Sequence, residues 1–306
     1  MTQTQPLTVP VLFLTFNRFS TTKKVFNEIK KSETPRLYIA SDGPRLNKPN
    51  ELEKIFEIRE YLLANIDWEC EVFTLFQKEN LGCKYGVSNA INWFFSNEEM
   101  GIVLEDDCLP SRSFFNFCEE LLIRYRDDTR IFLINGYNHQ KTWKPEERDY
   151  FFSLLGGIWG WASWRRAWEH YDVEMKDIDS FISTNGFEKA LGTSLGRIKQ
   201  DMIYNGIINE QVNSWALQWG YARHKNSGLT CVPSKSLIEN IGFGDGATHT
   251  DEINIRQVKR HELNHPLQEN LFVISDIGYD QLMFKRESFF SRLTRKIRAI
   301  FAMFLA

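Results

Sequence analysis

The sequence predicts an α/β fold with a mostly parallel central sheet flanked by helices. From residue 10 to residue 126, short apolar runs of strand length alternate with segments of helical spacing, an order typical of parallel strands joined by helical crossovers. The 306 residues are 42% hydrophobic, which is enough for a substantial core. The formal net charge of -3 shows that the chain is not a polycation, so nucleic acid is not an expected partner.

The predicted elements follow one another in a regular order. The strand at 10–16 is a short apolar run, and the helix at 20–31 opens on capping residues and spaces Val25, Phe26 and Ile29 along one face. The strand at 36–40 ends in the turn sequence SDGP, and the helix at 51–64 repeats apolar residues at near-helical intervals. The same patterns predict strands at 71–76 and 101–104 and helices at 82–95 and 111–126.

The second half of the chain has a different character. Four of the nine tryptophans lie in GGIWGWASWRRAW at 156–168, and two more lie in a predicted helix at 213–224. A glycine-rich stretch, IGFGDGATHT, follows at 241–250. Because no linker separates the halves, we predict one domain over 1–287, with lobes at about 8–135 and 136–287.

The cysteines and the chain start favour a cytoplasmic protein. The five cysteines form no Cys-x-x-Cys pair, so a disulfide framework or zinc knuckle is not expected. The start, MTQTQPLTVP, has no basic segment followed by an apolar one, and no window approaches about 18 apolar residues. We therefore expect neither a signal peptide nor a transmembrane helix.

Three acids in a row, Glu105, Asp106 and Asp107, follow the predicted strand at 101–104. Ligands bind at the carboxyl ends of the strands in such sheets. Adjacent carboxylates repel one another, and Mg²⁺ or Mn²⁺ relieves that repulsion by taking one or two carboxylates together with substrate phosphates. The alternative is a solvated acidic turn at a helix start.

Other polar residues follow strands or begin helices in the first half. Asn17 and Arg18 come after the first strand, where an arginine can stack on a base or reach a phosphate. Asp42 follows the second strand and could accept a hydrogen bond from a base or ribose, although SDGP also makes it a turn residue. Lys84 begins a helix, a position that the helix dipole disfavours unless an anion is near. For Arg18 and Lys84 the alternatives are an ordinary helix-entry residue and a solvated lysine.

The aromatic stretch predicts a loop that faces a ligand. Trp159 and Trp161 flank Gly160, and aromatic rings pack against the apolar faces of sugars; the alternative is core packing. His249 ends the glycine-rich stretch and is a candidate ligand of a metal or diphosphate. A solvated surface histidine is the alternative.

Taken together, these residues resemble the GT-A glycosyltransferases, and in particular the clan that contains N-acetylglucosaminyltransferase I and bacterial family-2-like sugar transferases. The resemblance runs with gaps from Pro10 to about Thr250, and IVLEDDCLPS and NIGFGDGATHT are its most specific parts. It implies a Rossmann-like fold that binds a nucleotide-diphospho-sugar. The sequence VLFLTFNRFST then stands at the uridine site and contributes Thr15, Asn17 and Arg18.

The resemblance also implies roles for the other residues. Asp42 in IASDG matches the acid that contacts uracil, and Lys84 in NLGCKYG lies where a basic residue meets the nucleotide. Asp107 matches the direct metal ligand, while Glu105 and Asp106 match acids that reach ribose and metal-bound water. The stretch from Trp159 through Gly160 to Trp161 matches a loop that contacts donor sugar and acceptor, and the segment with His249 matches one that closes over the diphosphate.

The expected activity is therefore transfer of a sugar from a UDP-sugar to a hydroxyl of a glycan or lipid-linked saccharide, with Mn²⁺ or Mg²⁺ and with inversion. Two alternatives stay open. A sugar-phosphate nucleotidyltransferase shares the α/β order but normally has a glycine-rich basic loop after its first strand, which FNRFSTT is not. A non-catalytic glycan-binding protein could be built on the tryptophan-rich half.

The catalytic base is not visible at its usual place. Related inverting enzymes carry an aspartate beside the tryptophan that matches Trp215, but here the neighbours are Asn213, Ser214 and Ala216. Glu210 lies about one helical turn earlier and is the first candidate base. Asp245, in the glycine-rich stretch, is the second.

The end of the chain predicts contact with a membrane surface. Residues 288–306 place apolar residues at three- and four-residue steps, and their charged residues are all basic. This combination suits anionic lipid head groups, so we expect peripheral attachment at the inner face of the cytoplasmic membrane. The alternative is a helix that docks on the protein's own core.

Overall fold

The computed structural model describes residues 6–204, 213–242 and 258–285. Its strands are β1 (Val11–Thr15), β2 (Arg36–Ser41), β3 (Glu71–Phe76), β4 (Met100–Glu105), β5 (Cys108–Pro110), β6 (Ile131–Asn135), β7 (Tyr150–Ser153), β8 (Trp161–Trp164), β9 (Leu229–Pro233) and β10 (Ile238–Asn240). Its helices are α1 (Phe19–Ser32), α2 (Glu51–Ala64), α3 (Gly82–Asn97), α4 (Arg112–Arg124), α5 (Arg165–Trp168), α6 (Ile178–Ser183), α7 (Gly186–Leu191), α8 (Thr193–Ile203) and α9 (Ala216–Lys225).

Eight of the described strands form one sheet in the order β3-β2-β1-β4-β8-β6-β9-β7. The strands β3, β2, β1 and β4 are parallel to one another, and β6 is parallel to β9. By contrast, β8 runs antiparallel between β4 and β6, and β7 runs antiparallel to β9. The predicted α/β class with a mostly parallel sheet is confirmed. The strand β8 comes from the second predicted lobe and lies between β4 and β6, which come from the first. The two predicted lobes therefore share one sheet and are not separated at residue 136.

The two faces of the sheet bury different helices. Along β1, Val11 and Phe13 point into a core shared with α1, α2 and α4. The alternate residues, Leu12 and Leu14, point into a second core with α3, α9 and several tryptophans. This alternation follows from the two-residue period of a strand. Burial on both faces explains why the strands of this region are continuous apolar runs.

Most predicted elements of the first half are found where the sequence placed them. The helix at 51–64 and the strand at 71–76 have the predicted bounds, and the apolar face predicted for α1 is fully buried. The exception is the stretch GGIWGWASW at 156–164, which we predicted as a loop. Its last four residues form β8, and α5 follows directly. Pairing with β4 and β6 supplies the hydrogen bonds of β8, and no local pattern in the sequence predicts that pairing.

None of the helices in the described part of the chain has the length and apolar character needed to cross a bilayer. Residues 288–306, for which we predicted a membrane-surface helix, lie outside the described residues.

Candidate functional site

Three segments that are far apart in sequence meet at the carboxyl end of the sheet. Since β1 and β4 are parallel neighbours, with Leu14 opposite Glu105, the residues that follow them lie side by side. Arg18 Nη2 is 2.6 Å from Asp106 Oδ1 and 2.9 Å from Asp107 Oδ2. The sequence placed Arg18 and the acids at one edge, and the structure adds that they are in direct contact.

The third segment follows β10, which pairs with β5 in a small antiparallel sheet. The Ile241 N–H donates to the carbonyl oxygen of Asp107 at 2.8 Å. A Cβ on Gly242 would lie 2.3 Å from Asp107 Oδ2 and 2.8 Å from Arg18 Nη1. Only a residue without a side chain lets the backbone pass this closely, so Gly242 shapes one wall of the acidic cluster.

The three acids differ in their exposure. Glu105 is partly buried, and its buried Oε1 has no hydrogen-bond partner. Asp106 is buried and accepts a long bond of 3.3 Å from the Phe16 N–H as well as the ion pair with Arg18. The Asp107 side chain keeps 16% of its surface exposed. Asp107 is therefore better placed than Asp106 to meet a ligand.

Burial and mutual repulsion dominate the electrostatics of the cluster. Burial raises the pKa of Glu105 and of Asp106, and the neighbouring carboxylates raise it further. Arg18 opposes this rise for both acids. Burial alone would lower the pKa of Arg18, but its ion pairs with Asp106 and Asp107 outweigh burial and raise it.

The residues at this site fit a divalent cation. Arg18 forms ion pairs with two of the three adjacent acids, Asp106 and Asp107, so a full set of carboxylates keeps a negative balance. The unpartnered Glu105 oxygen also shows an incomplete set of polar contacts. Within the described residues, no three His, Cys, Asp or Glu side chains are arranged to hold a metal alone. His249 lies outside the described residues.

Asp42 ties the end of β2 to the start of α3. Its carboxylate accepts from the N–H groups of Gly43, Leu81 and Gly82 at 2.9, 2.9 and 3.0 Å, and from Asn80 Nδ2 at 3.0 Å. These bonds use about all the acceptor positions that a carboxylate has. Burial raises the pKa of Asp42, and the backbone donors partly oppose that rise. In the structure, Asp42 holds the start of α3 through these hydrogen bonds. A contact between Asp42 and uracil stays a prediction.

A network that the sequence did not reveal supports the loop after β1. Asn17 Nδ2 donates to Glu51 Oε1 at 2.8 Å. Glu51 is buried and also accepts from the backbone and side chain of Arg45. The Arg45 guanidinium lies 5.3 Å from the centre of the Phe16 ring. The sequence showed only that Glu51 lies in the first turn of a predicted helix. It did not predict this network, because the partners of Glu51 come from two loops outside that helix. Thr15 is buried at the end of β1, and its hydroxyl points to the Ala40 carbonyl oxygen.

The start of α3 forms another wall. The Lys84 N–H donates to Asn213 Oδ1 at 2.8 Å, and Lys84 Nζ lies 3.5 Å from Glu174. Asn213, two residues before Trp215, therefore contacts the start of α3. The pKa of Cys83 is raised to about 11, mainly because the thiol is buried and also because of the charge of Glu105. The two candidate bases predicted from the sequence, Glu210 and Asp245, lie outside the described residues.

The two tryptophans that we predicted to face a ligand have different environments. Trp159 is partly buried, and its ring centre lies 4.6 Å from that of Tyr137. Gly160 has φ +60°, and a Cβ there would lie 2.4 Å from Ile238 and 3.3 Å from Leu104, which precedes the acids. Trp161 is 0% exposed and stacks on Trp215 at 5.7 Å between ring centres. The interpretation of Trp161 as ligand-facing therefore needs correction, because β8 turns its side chain into the core.

This difference predicts unequal stability effects. Trp161→Ala should lower the free energy of unfolding by about 3–5 kcal/mol, the usual cost of emptying a large core site. Trp159→Ala, the matched control, should cost clearly less because part of its ring is already exposed. Chemical denaturation of both variants measures the difference. Equal losses would place Trp159 in the core as firmly as Trp161.

Comparison with known proteins gives distant structural likenesses. No family model matches the chain, and neither does any curated protein. The glycosyltransferase GlyE of Streptococcus pneumoniae TIGR4 is 10% identical over 73% of this chain and 45% of its own, with a TM-score of 0.35. UDP-glucose pyrophosphorylase, solved with UDP-glucose, is 11% identical over 77% and 94% of the two chains, with a TM-score of 0.35. The inositol-1-phosphate CTP transferase of T. maritima is 11% identical over 58% and 84%, also with a TM-score of 0.35. The chemistry of this chain must therefore be inferred from its own residues.

Proposed function

We propose that this chain is a glycosyltransferase that moves a sugar from a UDP-sugar to a hydroxyl group of a glycan or lipid-linked saccharide. The observation that carries the proposal is the cluster of Glu105, Asp106 and Asp107 at the end of β4, where Arg18 forms ion pairs with the last two acids. A cluster of this charge favours a divalent cation, and a sugar nucleotide brings the diphosphate that completes such a site. Asp107 would hold Mn²⁺ or Mg²⁺ directly.

In this proposal, each side chain around the acidic cluster has a separate role in binding the donor or the cation. When bound, the cation neutralises charge that develops on the leaving diphosphate. Arg18 fixes the orientation of the Asp106 and Asp107 carboxylates through its two ion pairs. Lys84, on the α3 wall, supplies positive charge for the nucleotide. Trp159 offers a ring beside the end of β4 for the donor sugar or acceptor.

An inverting transfer also needs a carboxylate that removes the proton of the acceptor hydroxyl. Asn213 cannot take that role, since an amide has no basic oxygen of suitable pKa. Glu210, three residues before Asn213, is our first candidate and Asp245 the second. Attachment of residues 288–306 to an anionic membrane would bring a lipid-linked acceptor near the site.

A thermal-shift panel of nucleotide sugars, with and without Mn²⁺, tests the proposal. We expect one or more UDP-sugars to raise the melting temperature only when Mn²⁺ is present, since the diphosphate and the carboxylates bind the cation jointly. Incubation of that donor with candidate acceptors should then release UDP. Release of pyrophosphate from UTP and a sugar phosphate would instead identify a nucleotidyltransferase. Glycan binding without any response to nucleotide sugars would identify a non-catalytic glycan-binding protein.

A further inference from the structure

The strand β3 is an open edge of the sheet. It pairs with β2 and with no other described strand, and Glu71 to Thr74 are exposed. Natural proteins usually protect such an edge with lysine, proline or a bulge inside the strand. The strand EVFTLF has no lysine, proline or glycine, and its pairing with β2 runs without a register shift. Its unused backbone groups are therefore available to another strand.

The hydrogen bonds to β2 show which residues face outward. The N–H groups of Glu71 and Gln77 donate to Pro35 and Ser41, before and at the end of β2. In a regular strand, alternate residues point their backbone groups to opposite sides. Hence the odd-numbered residues of β3 bond to β2. The N–H and C=O groups of Val72, Thr74 and Phe76 point away from the sheet.

The helix α2 adds an apolar surface beside this edge. Tyr61 packs against Phe19 and Phe26, so that flank of α2 faces α1. Leu52, Phe56 and Leu63 share the opposite flank by helical spacing and are exposed, the first two by 62% and 61%. Arg59 on the same flank donates to the Gln77 carbonyl oxygen at 2.9 Å and lies 4.8 Å from the Phe76 ring. The apolar flank therefore adjoins β3.

We propose that this surface binds a second copy of the chain, with β3 pairing antiparallel to itself around a two-fold axis at Thr74. A two-fold strand pair must place one residue opposite itself, and only an outward-facing residue can exchange hydrogen bonds there. Thr74 is the middle one of the three outward residues. Val72 then lies opposite Phe76 of the other copy on the α2 face, and Phe73 lies opposite Leu75 on the α3 face.

Charge and area are consistent with this pairing. In this register Glu71 faces Gln77 and Lys78 faces Cys70, so no like charges meet between residues 70 and 78, and Glu69 and Glu79 come opposite each other only beyond the ends of β3. The five side chains Leu52, Phe56, Leu63, Val72 and Phe73 expose between 36% and 62% of their surface. At roughly 200 Å² for a large side chain, that is about 500 Å² per copy. Two copies reach the ~1,000 Å² of a specific interface.

A cysteine at the two-fold axis tests the register. The Cα atoms of a residue opposite itself lie ~5.5 Å apart in a hydrogen-bonded pair, within the range of a disulfide. Thr74→Cys should therefore form a covalent dimer on mild oxidation. Val72→Cys is the matched control, because its two copies would be separated by four residues along the strand, roughly 13 Å. Wild-type protein under the same oxidation accounts for Cys70 and Cys83, which are partly exposed.

Sedimentation of the wild-type chain tests the dimer itself. We expect a species of twice the 36.0 kDa chain mass, and Phe56→Glu should convert it to a monomer because it buries a charge in the interface. Phe56 is exposed, so this substitution leaves the fold of the monomer unchanged. A wild-type monomer at tens of micromolar, or equal crosslinking of Thr74→Cys and Val72→Cys, overturns the proposal. These results do not depend on the catalytic activity.

Discussion

Replacement of Asp107 by alanine is expected to abolish sugar transfer while the protein stays folded. Asp107 is more exposed than Asp106, and in our proposal it holds the cation that neutralises the leaving diphosphate. Charge stabilisation of this kind is worth several kcal/mol, so turnover should fall by roughly 1,000-fold or more. The fold should survive, because the substitution removes one of three mutually repelling acids. UDP binding, measured by calorimetry, should no longer respond to Mn²⁺.

Asp127→Ala is a suitable control for this experiment. Asp127 is an exposed acid in the loop after α4, and its neighbour Arg126 pairs with Glu99 at the opposite end of β4 from the acidic cluster. Its replacement changes the net charge by the same amount and should leave turnover and the effect of Mn²⁺ unchanged. Wild-type turnover by the Asp107→Ala protein in buffer containing Mn²⁺ would show that the acidic cluster is not the metal site.

Replacement of Arg18 by methionine is expected to destabilise the metal-free protein by about 3–5 kcal/mol, the cost of leaving a buried acid without its partner. Arg18 contacts both Asp106 and Asp107, and Asp106 is almost fully buried. The loss of the guanidinium should also make the cluster a stronger site for a free cation. We therefore expect Mn²⁺ to raise the melting temperature of Arg18→Met more than that of wild type, even without nucleotide.

The conservative variant Arg18→Lys keeps one positive charge and is the matched control. It should lose less stability than Arg18→Met and gain less from Mn²⁺, although an ammonium cannot reproduce the two ion pairs of the planar guanidinium equally well. An Arg18→Met protein with wild-type stability would show that the ion pairs contribute little. A loss of stability that Mn²⁺ does not restore would argue against cation binding at these carboxylates.

The order of strands and helices in the first half could be read from the sequence because its signals are local. Apolar runs of strand length and apolar residues at helical intervals depend only on neighbours along the chain. The bounds of α2 and β3, and the buried face of α1, were predicted on that basis. The acids after β4 were also visible, since three adjacent carboxylates at a strand end are a local pattern.

The tertiary structure decided what those local patterns left open. It placed β8 between β4 and β6, which turned Trp161 from a predicted ligand contact into a core residue. It brought Arg18 into contact with Asp106, 88 residues away, and placed the Asp42 carboxylate where it accepts hydrogen bonds from the start of α3. Sequence determined which elements form, because secondary structure follows from local periodicity. Which side chains share a site depended on strand order and on long-range hydrogen bonds, and those arise only when distant segments pair.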